Sequence, residues 1–311
     1  MHKNPRGFGH ADFFVPLPPL LSEIRLMKHR VHTLFVPLAF VLGLVSCDRI
    51  DDPVEGIIET IDETYDIPAL EPLDTDVQRV LIEDFTGHQC GNCPNANLVL
   101  NALKDAHPDA IIPMAIHAGS LALTSEEYPT DWTSGEGNEY WNDLDIPVNP
   151  IGRVNRTDNE GTSLLPDQWE EALAPMLNAT PVVGMQMAVD GDFDPTKLFV
   201  HVHATWLADF EGEAKLAVLI LENDLVGPQL WYGNSPEYVE EYVHAHVLRG
   251  SITGAKGEVA ATNPGAGDAA QFDYALTWND DWIKANAEVV AVLTDVATGR
   301  VLQAISQDVF E

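Results

Sequence analysis

The sequence is poor in cysteine and poor in basic residues. Its 311 residues include only three cysteines, and 16 lysines and arginines stand against 49 aspartates and glutamates, which gives a formal net charge of −33 at pH 7. Because a nucleic-acid duplex repels such a surface, we expect no nucleic-acid partner. An anionic membrane surface is an equally poor electrostatic partner. The acidic surface predicts a soluble, salt-tolerant exterior, with weak binding of divalent cations as the alternative.

The sequence also lacks the motifs of most cofactor and metal sites. It has no glycine-rich phosphate loop, no paired-carboxylate signature and no second cysteine pair for a zinc site, so we predict no cofactor and no metal. The alternating aspartates Asp190, Asp192 and Asp194 begin like a calcium loop. Pro195 stands where that loop requires glycine, so the segment predicts a hairpin turn.

Two pairs of histidines alternate along predicted strands. His201 and His203 form one pair, and His244 and His246 form the other. Alternation places the two members of each pair on one face of a strand. Convergence of the four imidazoles would make a zinc or copper site, whereas packing between strands is the simpler interpretation.

A long hydrophobic run is also missing, because the apolar stretch Leu34–Leu44 is too short for a membrane span of about 20 residues. The basic segment Met27–Arg30 precedes it, and it ends in Leu44-Val45-Ser46-Cys47, which resembles a bacterial lipobox. Residues 1–46 are therefore predicted to be a signal region, and Cys47 the lipidated first residue of the mature chain. Met27 is the expected start, so residues 1–26 are predicted to be a mis-assigned start or, alternatively, a genuine extension.

Three segments are expected after the signal region. Residues 47–76 are rich in aspartate and glutamate, and mutual repulsion predicts an extended tether from the lipid. Residues 77–180 predict an α/β domain, because strand Val80–Phe85, helix Asn95–His107 and strand Ala110–His117 make a parallel βαβ unit. A third strand at Ile151–Asn155 and a helix at Pro166–Leu177 should complete it.

Residues 181–311 predict an all-β domain. About seven short strands separated by turns indicate an immunoglobulin-like sandwich. The last two strands flank a glycine-containing loop at 295–300, which predicts a hairpin. The segment 224–243, with its aromatic side chains, is predicted to be a long loop.

The two remaining cysteines, Cys90 and Cys93, lie between the first predicted strand and its helix. The N–H groups and the dipole at a helix N-terminus stabilise a thiolate. Cys90 is therefore expected to be exposed and to act as the attacking nucleophile, with Cys93 as the resolving thiol. Pro94 suits the first turn of the helix, where no hydrogen bond is lost. A permanent structural disulfide, or an inert relic of the fold, is the alternative.

The surroundings of the pair resemble those of thioredoxins, in which Asp-Phe precedes the first cysteine at this spacing. Asp84 matches the buried aspartate that accepts a proton there. His88 is close enough in sequence to tune the pKa of Cys90. The fold also holds a cis-proline that faces the disulfide at the start of the next strand. Pro150 is the predicted cis-proline, and Pro147 competes with it.

A wider resemblance covers residues 77–311. The run E-D-F-T-G-H-Q-C-G-N-C-P at residues 83–94, followed by Asn149–Arg156 and His246–Arg249, is similar to the outer membrane protein 28-related lipoproteins of Gram-negative bacteria. Ile151 departs from the threonine that such proteins often carry after the proline. The resemblance implies a thioredoxin-like domain, then a β-sandwich, in an outer-membrane lipoprotein. It implies no defined reaction.

The predicted function is that of an outer-membrane lipoprotein, held by lipid on Cys47, whose dithiol exchanges with disulfides of envelope proteins. Cys90, Cys93, Asp84 and Pro150 are the predicted site. The alternative is a non-enzymatic binding or structural lipoprotein in which the thioredoxin-like domain is a scaffold. Whether the protein is an enzyme therefore stays open at this point.

Overall fold

The computed structural model describes residues 65–156 and 163–310. These residues are mostly β-structure, arranged in mixed sheets with few helices. The predicted signal region, the predicted lipidation site Cys47 and most of the predicted tether lie outside the described residues. No helix in the part of the chain that the structure describes has the length and apolarity needed to cross a membrane.

Three α-helices are present in the described ranges, namely α1 (Cys93–Ala106), α2 (Gly135–Asp143) and α3 (Trp169–Leu173). The strands are β1 (Val80–Thr86), β2 (Ile111–His117), β3 (Ile151–Val154), β4 (Val183–Asp190), β5 (Lys197–Trp206), β6 (Glu213–Glu222), β7 (Leu225–Leu230), β8 (Tyr238–His244), β9 (Val247–Ser251), β10 (Glu258–Thr262), β11 (Ala269–Thr277), β12 (Ala287–Asp295) and β13 (Val301–Asp308).

One sheet runs through most of the molecule. Its strand order is β13-β12-β6-β9-β2-β1-β3, with β10 beside β6. The predicted parallel pairing of the first two strands is confirmed, since β1 and β2 run parallel from Val80↔Ile111 to Thr86↔His117. Both strands are buried at every position, as central parallel strands are. The third strand, β3, lies antiparallel on the other side of β1.

This sheet crosses the predicted boundary at residue 180. Strand β9 lies beside β2, where Ala115 faces Val247 and the amide of Ala115 donates to the carbonyl of His246 at 2.8 Å. The other side of β9 pairs with β6, which belongs to the β-rich C-terminal part. Strands on both sides of the predicted boundary therefore share one hydrogen-bonded sheet. The sequence pattern does not predict this pairing between distant segments.

A second sheet, of order β11-β5-β4, packs face to face against β6 and β12. Alternate residues of the strands fill the space between the sheets, as in β5, where Leu198, Val200 and Val202 are buried. A second cluster covers the opposite face of the long sheet, and a third lies under α1 and α3 around Leu100 and Trp169. The turn predicted at Asp190–Thr196 is confirmed between the antiparallel strands β4 and β5.

Several elements differ from their predictions. Helix α1 begins at Cys93 rather than Asn95, because Pro94 occupies its first turn. The helix predicted at 166–177 is reduced to a 3₁₀ turn followed by the short α3. The predicted loop at 224–243 is instead the antiparallel hairpin of β7 and β8. The hairpin also donates hydrogen bonds to the loop around the cysteines, a contact that the local sequence cannot reveal.

The end of the predicted tether is packed rather than extended. Tyr65 is buried and stacks on Phe199 with ring centroids 4.4 Å apart. Further along, the carbonyl of Glu71 accepts a hydrogen bond from Gln186 of β4. An aromatic residue among the acids supplied enough apolar surface to hold this segment on the outer face of the second sheet.

Candidate functional site

The two cysteines lie where β1 passes into α1. After β1, the amide of Cys90 donates to the carbonyl of Gly87 at 3.0 Å, and the amide of Cys93 donates to the carbonyl of Cys90 at 3.2 Å. These consecutive turns bring the Cα atoms of the cysteines to 5.4 Å, and the sulfurs form a disulfide. The predicted position of the pair, between a strand and a helix N-terminus, is therefore confirmed.

The expectation that Cys90 is exposed is wrong. Only 3% of Cys90 and 2% of Cys93 are accessible to solvent. The reason is the β7–β8 hairpin, which lies over the loop from residue 87 to residue 95. Nothing in the sequence around the cysteines indicates this cover, because the hairpin lies more than 130 residues further along the chain.

The hairpin is fastened to the loop by a series of hydrogen bonds. The amide of Leu230 donates to the carbonyl of His88 at 2.9 Å, and the amide of Tyr232 donates to that of Gly91 at 2.7 Å. The side-chain amide of Gln229 donates to the carbonyl of Cys90 at 3.0 Å. The Tyr232 ring lies directly over Gly91, so closely that a Cβ at residue 91 would come within 2.5 Å of the ring.

Asp84 lies in the middle of β1 and is buried, with 1% of its surface accessible. Its Oδ1 atom has no hydrogen-bond partner among the described residues. Because burial penalises the charged form, the pKa of the Asp84 carboxyl is raised to about 7. A carboxyl in this state can hold or release a proton near neutral pH, which is the chemistry expected of Asp84 from its position.

Three histidines surround the same place. The His117 ring lies 5.3 Å from that of His244 and 6.3 Å from that of His88, measured between centroids. Nδ1 of His117 and Nε2 of His244 have no hydrogen-bond partner among the residues that the structure describes. Burial lowers the pKa of all three, and that of His244 falls to about 4, so the rings are neutral at pH 7.

His88 does not supply the positive charge that would stabilise a thiolate on Cys90. Its Nε2 atom lies 2.9 Å from the carbonyl oxygen of Leu123, and its ring stacks on Tyr128 at 5.1 Å. Burial keeps it neutral by lowering its pKa. The influence predicted for His88 on Cys90 therefore has no electrostatic basis in this arrangement.

The disulfide, the carboxyl and two of the histidines line one small cavity of about 20 Å³. Its walls include Asp84, Cys93, His117, Tyr242 and His244. The sequence prediction missed His117 and His244. For His117 a signal existed, because it ends a predicted strand that is parallel to β1, and neighbouring parallel strands end at one edge of the sheet.

Pro150 immediately precedes β3, and the bond between Asn149 and Pro150 is cis. The bond before Pro147 is not among the cis bonds of the described residues, so the choice of Pro150 over Pro147 is confirmed. Asn149 holds the turn in place, because its side-chain amide donates to the carbonyl of Thr86 at 2.8 Å. Whether Pro150 serves the disulfide stays a prediction.

The two predicted histidine pairs do not converge. His201 lies in the second sheet, with Nδ1 2.8 Å from Asp273 and Nε2 3.1 Å from the hydroxyl of Tyr65. His244 belongs to the cavity beside the disulfide, whereas His246 lies 3.1 Å from Glu288. Within residues 65–156 and 163–310, no cluster of histidine, cysteine and carboxylate side chains has the arrangement of a metal site.

Solved structures and family comparisons add an independent finding. HBP35 of Porphyromonas gingivalis is similar in fold, with a TM-score of 0.57 and 17% identity over 75% of this chain and 76% of that chain. A domain of the outer membrane lipoprotein Omp28 from the same organism matches with a TM-score of 0.29 and 17% identity, over 42% of this chain and 90% of that one. No curated protein matches the sequence.

The model of the family described as outer membrane protein Omp28 matches residues 138–311, which is more than half of the chain. The match begins after the cysteines, so it depends on α2 and the β-rich part rather than on the disulfide. It confirms the resemblance inferred from the sequence and the predicted location at the cell envelope. The chain belongs to the Omp28 family of outer membrane proteins.

Proposed function

We propose that this protein acts as a lipid-anchored binding protein of the cell envelope, in which Cys90–Cys93 is a permanent structural disulfide. The burial of both cysteines under the β7–β8 hairpin is the observation that carries this proposal. In thiol–disulfide exchange a thiolate must reach one sulfur of the disulfide. The hydrogen bonds from Gln229, Leu230 and Tyr232 keep the hairpin over that approach.

The finer description of the fold is part of this proposal. A thioredoxin-like unit in residues 77–180 is supported by the β1–α1–β2 crossover with β3 antiparallel beside it. An immunoglobulin-like sandwich in residues 181–311 is supported by the three-stranded sheet that faces β6 and β12. In this protein the thioredoxin-like unit is a scaffold. The family match covers residues 138–311 and so leaves out the segment that carries the disulfide.

The reduction potential of Cys90–Cys93 tests the proposal. The soluble chain, starting after Cys47, is equilibrated in glutathione and dithiothreitol buffers and the thiols are counted. A structural disulfide is expected below about −300 mV, whereas redox catalysts lie between about −120 and −270 mV. A potential in the catalytic range would overturn the structural assignment. Tyr232→Ala is the matched variant, because it uncovers Gly91 without changing a cysteine, and its disulfide should be reduced faster.

A second candidate, thiol–disulfide exchange, is favoured by one observation. Asp84 is a buried, protonatable carboxyl in the same cavity as Cys93. In that reaction a thiol donor of the envelope first reduces Cys90–Cys93 and is itself oxidised to a disulfide. The Cys90 thiolate then attacks a partner disulfide and releases one partner thiolate. Asp84 then takes the proton of Cys93, whose sulfur attacks Cys90 and releases the second partner thiolate. The partner gains two electrons and the Cys90–Cys93 disulfide is restored, once the hairpin has moved aside.

Trapping distinguishes the two candidates. In Cys93→Ser the mixed disulfide cannot be resolved, so exchange predicts a covalent adduct with an envelope protein after expression in the native host. The matched control is Cys90→Ser, which keeps one cysteine but removes the attacking thiol. Adducts that form equally with both variants, or with neither, count against exchange.

A further inference from the structure

A second cavity, of about 320 Å³, lies between α2 and the long sheet and shares no lining residue with the cavity beside the disulfide. Its floor is formed by Ala217 of β6 and Val292 of β12, which belong to the buried cluster on that face. Ala255 and Gly299 contribute to the walls. The small size of these side chains leaves the space open, and the volume falls within the usual range for sites that bind small molecules.

The apolar character of the cavity comes partly from Tyr140. Its hydroxyl donates to the carbonyl of Ala255 at 2.7 Å, and burial raises its pKa to about 12, so the ring is neutral and its polar end is satisfied. Leu144 and Val296 extend the apolar surface. A ligand body that packs here is therefore hydrophobic.

Most charged groups around the cavity already have an ionic or hydrogen-bonding partner. Arg156 makes a bidentate contact with the buried carboxylate of Glu83, with distances from 2.6 to 3.1 Å. Lys256 lies 3.1 Å from both Glu139 and Asp143. The carboxylate of Asp295, also at the cavity, accepts hydrogen bonds within its own turn from residues 297 and 298.

Lys215 is the exception. It belongs to β6, two residues before Ala217, so both side chains are on the same face of the strand and at the same cavity. The residue is half-buried, and its ammonium forms no ion pair with any carboxylate of the described residues. In a chain with 49 acidic and 16 basic residues, such a lysine beside an apolar cavity is unusual.

We propose that this cavity binds a small amphipathic monoanion, in which an apolar body packs on Ala217, Val292 and Tyr140 and one carboxylate or sulfonate contacts Lys215. This inference deepens the proposed binding function and rests on it. The overall charge of −33 does not prevent binding, because at physiological salt charges are screened beyond about 8 Å, whereas Lys215 would contact the ligand directly.

The test uses the soluble chain that starts after Cys47, with anilinonaphthalene sulfonate, an amphipathic anion whose fluorescence rises in apolar surroundings. We expect saturable binding that Lys215→Gln weakens about tenfold, because one charge-assisted contact is lost. The matched control is Lys256→Gln at the same cavity, which should change the affinity less than about twofold because its charge is already paired. Equal affinity in wild type and Lys215→Gln would overturn the proposal.

The neutral analogue N-phenylnaphthylamine separates charge from apolar contact, since its binding should not respond to Lys215→Gln. Ala217→Leu, which fills the floor, should abolish binding of both dyes. Unchanged binding in a folded Ala217→Leu variant would show that the dye lies elsewhere and contradict the site. Displacement by decanoate indicates an acyl ligand, and displacement by hydrocinnamate an aromatic one. If neither dye binds at the cavity and the reduction potential is below about −300 mV, the binding site is rejected while the assignment of a structural disulfide is retained.

Discussion

Two sets of histidines differ in what they contact. In the β-rich part, His201 is buried against Asp273 and Tyr65, and His246 lies beside the buried Glu288. Beside the disulfide, His117 and His244 each leave a ring nitrogen without a hydrogen-bond partner among the described residues. The first set is satisfied by carboxylates and a hydroxyl, whereas the second is satisfied only in part.

The difference distinguishes histidines with a structural role from a site whose buried polar atoms lack hydrogen-bond partners among the described residues. Most buried polar groups in proteins are hydrogen-bonded, and each that is not costs about 1–3 kcal/mol. Asp84, His117 and His244 carry that cost together around one cavity. The protonation of Asp84 and His244 is therefore coupled to folding. Variants of both sets can break or sharpen this comparison.

The largest effect is expected from Asp84→Asn. The folded-state pKa of Asp84 is about 7, above the unfolded value near 3.8, so the native state binds the extra proton between these values. The contribution of Asp84 to stability is present below pH 4 and is lost as pH rises to 7, a change of about 4 kcal/mol. In urea unfolding between pH 4 and pH 8, the free energy of unfolding of Asp84→Asn should rise by this amount relative to that of wild type. A constant difference between the two proteins across this range would contradict the assignment.

Relative to wild type, His244→Phe should show the opposite dependence of stability on pH. The pKa of His244 is lowered from 6.5 to about 4, so the native state excludes a proton that the unfolded chain binds. Wild type therefore loses stability as pH falls from 6.5 to 4, by about 3 kcal/mol from this residue. The variant lacks that loss, which urea unfolding at pH 4 and pH 7 will measure. In wild type the slopes of Asp84 and His244 partly cancel in this window, so each is visible only against the matching variant.

A smaller effect is expected from uncovering the cavity. Tyr242 lines it, and its ring centroid lies 4.9 Å from that of His244. Tyr242→Ala should admit water and move the pKa of Asp84 down by about one unit, equivalent to about 1.4 kcal/mol. Carboxyl chemical shifts in an NMR titration report the change. Tyr238→Ala, on the same strand but more exposed and not lining the cavity, is the control and should leave this pKa in place.

The smallest change in stability is expected where histidines already contact carboxylates, as His201 and His246 do. Asp273→Asn removes the carboxylate that lies 2.8 Å from His201, on a side chain that is one-third exposed. Because solvent screens such a pair, stability at pH 7 should fall by only about 0.5–1 kcal/mol. The midpoint of urea unfolding gives the value. A loss comparable to that of the cavity variants would remove the distinction between the two sets.

Local patterns predicted the parts of the molecule that depend on neighbours in sequence. The parallel pairing of β1 and β2, the position of Cys90 and Cys93 and the choice of Pro150 all follow from segments of a few dozen residues. The cover over Cys90 could not be predicted in this way. It depends on contacts such as that between Tyr232 and Gly91, which join distant segments and carry no periodic signal.

The continuous sheet escaped prediction for a similar reason. Hydrophobic alternation identifies a strand but says nothing about its partner, and β9 pairs with β2 across more than 130 residues of chain. The amphipathic cavity was equally hidden. Lys215 is one charged residue in an otherwise ordinary strand. That it forms no ion pair within residues 65–156 and 163–310 is a property of the folded surroundings.

The packing of Tyr65 shortens the segment that would join the folded body to the predicted lipid on Cys47. Eighteen steps along the chain separate the predicted lipidation site Cys47 from Tyr65, which packs on the second sheet. Fully extended, they span at most about 60 Å. A segment that continued to Val77, the predicted start of the first domain, would have been 12 residues longer. With the predicted lipid on Cys47, the folded body would stay within this distance of its anchor. A ligand in the same membrane would then be met at high effective concentration.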